Sequence, residues 1–303
     1  MTAQEPLAVP ESPCLTARQA AVYLHLNEKK LYELANSGEV PAARVGGKWL
    51  FPRKLLDDWL LEQAHGGVFT DRLLITGGDD PLLAATVRHL AEDLREDAFI
   101  AYSPTTSRAG LQQLALRRVD ASLLHWGDAA HSNAQHATLL TAFPGHTRWT
   151  LVRLALREQG VLLRPGLGID QLETLAGYDL RWAMRPEGSG ATHLLASALA
   201  DHGFRLQDCS TVAAASSESE AAALIVRGMA DCAPGSRATA TQFGLDFLSL
   251  GWVALDLALP REIFFRHLLQ NLIRGVGSIE MREHARLLGG YDLTPLGQLW
   301  SLD

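Results

Sequence analysis

The sequence predicts two domains of different class, a small helical module at the N-terminus and a larger α/β domain after it. Three observations carry this. The chain has 303 residues, about two domains at roughly 150 residues each. Residues 15–61 place helix caps and a two-glycine turn at short intervals, whereas from Arg72 onward short apolar strands alternate with helical stretches. Charge divides the same way. Residues 15–61 hold seven basic side chains against five acidic ones, a net of +2 that leaves −9 on the rest of a chain whose total is −7. A mildly basic module on an acidic body can present one face to phosphates.

Within the module, Thr16-Ala17-Arg18-Gln19 is a capping box and starts a first helix that runs to Leu24. Asn27 is a second N-cap. The helix it opens buries Leu31, Leu34 and Ala35, ends at Gly38 and cannot pass Pro41. Two helices joined this closely have helix-turn-helix spacing. Arg44-Val45-Gly46-Gly47-Lys48-Trp49 then reads as a tight hairpin, a wing, and Pro52 opens a third helix with Leu55, Leu56, Trp59 and Leu60 on one face. The expected organisation is a flexible N-terminus over residues 1–14, an all-α winged helix-turn-helix over 15–62, a linker over 63–71 and the α/β domain over 72–303.

In the α/β part, strands are expected at Leu73 to Thr76, Ala98 to Tyr102 and Ala121 to Leu124, with helices at Pro81 to Leu94 and Ser107 to Arg117. A second series follows: a strand at Arg181 to Arg185, a helix from Ser189, a strand at Thr211 to Ala215, a helix over Ser217 to Arg227 and a strand at Ala230 to Ala233. Leu151 to Leu163 is long, apolar and extended enough to carry the chain from one lobe to another. A bilobed domain with a mainly parallel sheet is the expectation.

Ligands of open α/β sheets sit beyond the C-terminal ends of the strands. Four strand-to-helix junctions combine glycines or small hydroxyl residues with a helix N-terminus, where free N–H groups favour an anion. They supply Gly78 and Asp79; Ser103, Thr105, Thr106 and Ser107; Ser189, Gly190 and Thr192; and Ser217. Arg185 closes its strand and is counted with the expected cleft, and His125-Trp126 follows another strand, where it either lines the cleft or, for Trp126, packs within its lobe. Asp79, Asp80, Glu187 and Glu218 crowd the same junctions. As an alternative, the Ser, Thr and Asp residues serve only as helix caps.

Several classes are disfavoured. Met1 to Pro13 carries no Lys or Arg and fits neither a signal nor a transit peptide. No apolar run approaches the roughly 18 residues of a spanning helix, and Cys14, Cys209 and Cys232 form no disulfide or zinc pattern. A cytoplasmic protein with no membrane partner is expected. His125, Asp128, His131 and His136 match no compact zinc spacing. There is no G-x-S-x-G elbow, H-E-x-x-H or Walker loop, so catalytic residues, metal and cofactors are all expected to be none.

Leu15 to Leu61 resembles the excisionase-type winged helix-turn-helix related to the MerR regulators, through Leu15-Thr16 with Ala20 and Tyr23-Leu24, Leu31-Tyr32-Glu33-Leu34, Gly38-Glu39-Val40-Pro41-Ala42, Arg44 to Trp49 and Pro52. That resemblance implies a double-stranded DNA operator as partner. It places the second helix in the major groove and the wing on the backbone or in the minor groove, with Arg18, Lys29, Lys30, Tyr32, Arg44, Lys48 and Arg53 as contacts.

Arg72 to about Leu296 resembles the periplasmic-binding-protein-like domain, type II, of one-component regulators, which is related to molybdate- and tungstate-binding proteins. The stretches are Gly78 to Leu83, Leu111 to Leu124, Arg157-Glu158-Gln159-Gly160, Arg185 to Leu195, Ala221 to Ala233, Gly244 to Phe247, Leu259 to Glu262 and Gly290-Tyr291-Asp292. Where relatives often read Gly-Ser-Gly-Thr-Arg, this chain has Gly188-Ser189-Gly190-Ala191-Thr192, without the arginine. The combined resemblance implies a DNA-binding transcriptional regulator, a homodimer or higher homo-oligomer, controlled by an oxyanion such as molybdate or tungstate. The alternatives are the same architecture sensing a small organic effector, or a non-regulatory binding protein or enzyme.

Overall fold

The computed structural model describes residues 13–65, 72–94 and 98–301. The chain divides into two units, Met1–Thr70 and Asp71–Asp303. Most of the expected N-terminal tail and linker lies outside the described residues.

The first unit runs β1 (Cys14–Thr16), α1 (Ala17–Tyr23), α2 (Glu28–Asn36), β2 (Ala43–Val45), β3 (Lys48–Pro52) and α3 (Arg53–His65). Thr16 caps α1 in a full capping box with Gln19, and the Asn27 side chain accepts the Lys30 N–H at the start of α2. Gly46 and Gly47, at φ of +55° and +80°, form the hairpin turn that only left-handed residues close tightly. The expectation of an all-α module is corrected here. β1 and β2 flank β3 in a three-stranded antiparallel sheet, with Leu15 opposite Phe51. Three residues are too few to show a period of two, so β1 exists through its partner and not through local pattern. Leu15, Ala20, Leu31, Phe51 and Leu56 are fully buried in one core between sheet and helices. The boundaries also shift, since Cys14 belongs to β1 and α3 continues to His65, into the expected linker.

The second unit begins with β4 (Arg72–Gly77), α4 (Pro81–Leu94), β5 (Phe99–Pro104), α5 (Ser107–Ala115), β6 (Ala121–Leu124) and α6 (Ser132–Thr141). β7 (Trp149–Leu163) then leads to α7 (Leu172–Gly177), β8 (Trp182–Met184), α8 (Gly190–Asp201), β9 (Thr211–Ala214), α9 (Glu218–Val226), β10 (Cys232–Ser236) and α10 (Arg237–Phe243). The chain returns through β11 (Asp246–Pro260) to α11 (His267–Val276), α12 (Ile279–Leu288), β12 (Tyr291–Asp292) and β13 (Leu299–Ser301).

One mixed sheet holds the unit together in the order β5-β4-β6-β11-β7-β10-β8-β9, with β12 and β13 on β7. The mainly parallel sheet expected from the βα alternation is corrected. Its flanks are parallel, but β7 and β11 are long antiparallel strands, paired from Trp149↔Pro260 to Leu163↔Asp246. β6 joins β11 near one end of this pair, and β10 joins β7 near the other. Two lobes therefore hang on two continuous strands. The first has its core in Leu73, Ile75, Leu83, Ile100 and Leu123, to which α11 adds Leu268, Leu269 and Leu272. The second buries Trp182, Leu195, Leu199 and Cys232 on one face and Ala183, Ala221, Ile225 and Ala233 on the other.

Candidate functional site

The junctions of the two lobes meet in a closed seam. β4 ends at Gly77, whose φ of +111° and contact with the Leu123 backbone leave no room for a side chain: a Cβ would stand 2.1 Å from the Leu123 carbonyl oxygen. This tight turn delivers Asp79 and Asp80 to the seam. Asp80 caps α4 by accepting the Leu83 N–H at 2.8 Å, and its other oxygen accepts from Arg157 at 3.1 Å and from the Tyr291 hydroxyl at 2.7 Å. The Tyr102 hydroxyl accepts the Asp80 N–H at 3.1 Å and donates to the Gly78 carbonyl.

Arg157 and Gln159 come from the crossing strand β7, two residues apart and so on the same face. Arg157 is wholly buried and joins the lobes. It donates to the Asp79 carbonyl at 2.8 Å, to Asp80, to Gln159 at 2.8 Å and to Glu218 of the second lobe at 3.0 Å. Glu218 further accepts the Ser236 N–H at 3.0 Å and the Thr239 hydroxyl at 3.2 Å. Arg185, at the end of β8, donates to the carbonyls of Thr105 and Ser216, both at 3.0 Å, and lies 3.8 Å from Glu218. The arginine missing from the Ser189 loop thus has counterparts on two strands.

Electrostatics follow from this packing. Burial resists ionisation of Glu218, but Arg157, Arg185 and the Ser236 N–H prevail and hold its carboxyl down to about 2. Asp80 moves the other way, because burial and the nearby Glu218 outweigh Arg157, Leu83 and Tyr291. Burial and the adjacent Arg157 push His125 well below its usual range, so its imidazole is neutral. Burial likewise lowers Arg185.

Other contacts close the seam. The Arg108 N–H donates to the Gly188 carbonyl at 3.2 Å, and Trp126 stacks on His193 with ring centres 4.2 Å apart while the Arg108 guanidinium covers Trp126 at 4.9 Å. Gly190 abuts His125, where a Cβ would stand 2.1 Å from the carbonyl oxygen. Among the described residues six buried side-chain polar atoms have no hydrogen-bond partner, and four of them belong to this region: His125 Nδ1, Arg157 Nε, Arg185 Nε and Ser189 Oγ.

The sequence-predicted residues divide accordingly. Gly78, Asp79, Thr105, Thr106, Ser107, His125, Trp126, Arg185, Ser189 and Gly190 come together at the seam. Ser103 is exposed, Thr192 turns back to the Arg185 carbonyl at 3.1 Å, and Ser217 caps its own helix. Glu187 is exposed. Arg157, Gln159, Tyr102, Ser219 and Tyr291 join the site without being expected there from the sequence. A signal for two of them existed, since Arg157 and Gln159 belong to a short polar run, Arg157-Glu158-Gln159, inside an otherwise largely apolar strand. The His125, Asp128, His131 and His136 set separates into pairs, His131 with Asp128 at 2.9 Å and His136 with Asp256 at 2.8 Å. No three metal-ligating groups converge among the described residues.

In the first unit, α2 turns Leu31 and Ala35 inward and exposes Lys29, Lys30 and Tyr32. Arg18 on α1 and Arg44 and Lys48 on the hairpin are exposed too. Arg53 instead lies over the Tyr23 ring, 5.3 Å from its centre, and Tyr23 donates to Asp57.

Residues 87–276 match the family described as the PBP superfamily domain, and residues 14–64 match a helix-turn-helix domain. The chain belongs to the PBP superfamily. No curated protein matches it. Among solved structures, this PBP chain is similar to a cysteine-to-serine mutant of OxyR from Corynebacterium glutamicum in its H2O2-bound form, at 15% identity over 90% of each chain and a TM-score of 0.53. It is also similar to a putative phosphate transporter substrate-binding protein with bound phosphate from Clostridium perfringens, at 10% identity, 72% of this chain, 97% of that one and a TM-score of 0.52. At these identities the likeness is one of fold. No described helix is long and apolar enough to cross a membrane.

Proposed function

We propose that this chain is a transcriptional regulator that reads DNA with its helix-turn-helix domain and is controlled by a small effector held between the lobes of its PBP domain. The observation that carries the ligand half is the group of unpartnered polar atoms at the seam. Buried donors and acceptors without partners are costly, and a guest that satisfied them would favour the state that encloses it. On the DNA side, exposed Lys29, Lys30 and Tyr32 on α2 fit entry into the major groove, Arg44 and Lys48 fit a wing on the backbone, and Arg18 is a further exposed cation on α1. Arg53 fits less well, being stacked on Tyr23. A single module of this size favours a homodimer on a two-fold operator.

Molybdate or tungstate is the effector that the family resemblance favours, but the charges at the seam favour a small polar organic molecule. Asp79, Asp80 and Glu218 face Arg157 and Arg185, and Arg157 is already bound to two of the three carboxylate residues through their side chains. Native mass spectrometry of the purified protein tests this reading. A retained organic mass whose removal alters operator affinity is expected; absence of any effector response across organic and oxyanion panels would reject ligand control.

A further inference from the structure

The end of α9 supplies two donors to the seam that are not spent within its own lobe. Ser217 caps the helix through the Glu220 N–H at 3.0 Å. The next free groups belong to Ser219, whose N–H and hydroxyl donate to Asp79 Oδ2 at 2.9 and 3.0 Å. Asp79 belongs to the opposite lobe and is only 5% exposed. A carboxylate thus occupies the position in which a helix N-terminus holds an anionic ligand.

A second feature shows that this region retains capacity for a guest. Arg185 is 3% exposed, bonded to the Ser216 carbonyl immediately before the α9 cap, and Asp79 is among the charges that act on it, yet its Nε has no partner. Ser189 Oγ, at the head of α8, is also buried and unpartnered. Donors suited to an anion are present, but the seat at α9 is filled from within the protein.

We propose that Asp79 is a resident anion that sets effector specificity: its carboxylate fills the oxyanion seat on Ser219 and excludes free tetrahedral oxyanions from the cleft. This deepens the functional reading and rests on it. A second anion at Ser219 would have to displace Asp79, leaving a buried carboxylate without its donors, or sit against it in like-charge contact. An effector that brings a hydrogen-bond donor or a cationic group to Asp79 meets neither obstacle.

The test titrates sulfate and molybdate into the full chain as wild type, Asp79→Ala and Asp79→Asn, by calorimetry with thermal shift as a second reading. Wild type is expected to show no saturable oxyanion binding. Asp79→Ala should bind at least about tenfold more tightly than wild type, and Asp79→Asn, which keeps shape and acceptor but loses charge, should fall between them. If Asp79→Ala does not fold, gain by the isosteric Asp79→Asn decides. Equal oxyanion binding by all forms, or none by any folded variant, overturns the assignment. Organic binding by wild type without an oxyanion gain in the variants overturns only the role of Asp79. An oxyanion gain in the variants, with no effector response of operator binding in wild type, supports that role and rejects only the regulatory reading.

Discussion

Arg157 Nη2 and Glu218 Oε1 lie 3.0 Å apart with neither side chain exposed to solvent, a buried ion pair that adds to the β7–β10 strand pairing and the Gln159–Glu218 hydrogen bond in tying the crossing strand to the second lobe. The same guanidinium reaches Asp80 of the first lobe, so its removal strands two buried carboxylates at once. Arg157→Ala is expected to destabilise the PBP domain by about 3–5 kcal/mol, the usual cost of breaking a buried pair on one side. Urea unfolding measures it. Glu218→Gln in the Arg157→Ala background should recover part of the loss, because one stranded charge is then absent. A loss below about 1 kcal/mol would mean that water reaches the carboxylates.

The contact between Gly190 and His125 sets how closely the lobes approach. A Cβ at Gly190 would lie 2.1 Å from the His125 carbonyl oxygen and 2.8 Å from Nδ1. Gly190 has no left-handed φ, so an alanine there is acceptable to the α8 backbone, and the three atoms nearest its Cβ all belong to His125 of the opposite lobe. Gly190→Ala should leave each lobe folded but part the seam, with a loss on the order of 1–3 kcal/mol. Small-angle scattering is expected to show a larger radius of gyration than wild type. An unchanged radius would show that the closed seam is not the form in solution.

Much of this architecture was legible locally. Proline at the first turn set the start of α4 at Pro81, four consecutive apolar or small residues marked β6, and side-chain caps located α1, α2 and α9. What escaped depends on distant partners. β1 is too short to show a pattern and is ordered by β3, while β11 carries register shifts and an apolar run from Trp252 to Leu255 that periodicity alone does not tell from a buried helix. The site shows the same division. Hydroxyl and glycine residues at the junctions were found because helix ends demand them, whereas Arg157 bonds to groups 61 and 78 residues away in the chain. Its role is a property of the closed seam and not of any segment.

Lys29 and Lys30 are exposed on α2, away from its buried Leu31 and Ala35, with Lys30 loosely paired to Glu33 at 3.6 Å. An exposed pair of that kind contributes little to stability. Lys29→Ala with Lys30→Ala should therefore leave the melting temperature unchanged while weakening DNA binding. The dependence of log K on log salt should become shallower by about 0.9 for each phosphate that the variant no longer neutralises. A gel-shift titration over several salt concentrations tests this, and an unchanged slope would move the interface away from α2.

The neutral His125 gives the PBP domain a defined acid sensitivity. Its ordinary value is 6.5, and burial first, then Arg157, push it well below that in the fold. The unfolded chain therefore takes up a proton as pH falls through 6.5, while the folded chain does not. Stability from this group is complete above 6.5 and is lost progressively as pH falls toward the folded value, at up to about 1.4 kcal/mol per pH unit. His193, lowered by burial and Arg108, adds a change of the same sign. Glu218 acts in a separate window, because its contribution is intact above 4.5 and fades only as pH falls toward about 2. Urea midpoints measured from about pH 7.5 to pH 5 should fall with acidification. His125→Gln removes the titrating ring, so its midpoint should fall less steeply over the same range. Parallel curves for the variant and wild type would show that His125 is not the buried neutral base, and would point to His193 as the source of the slope.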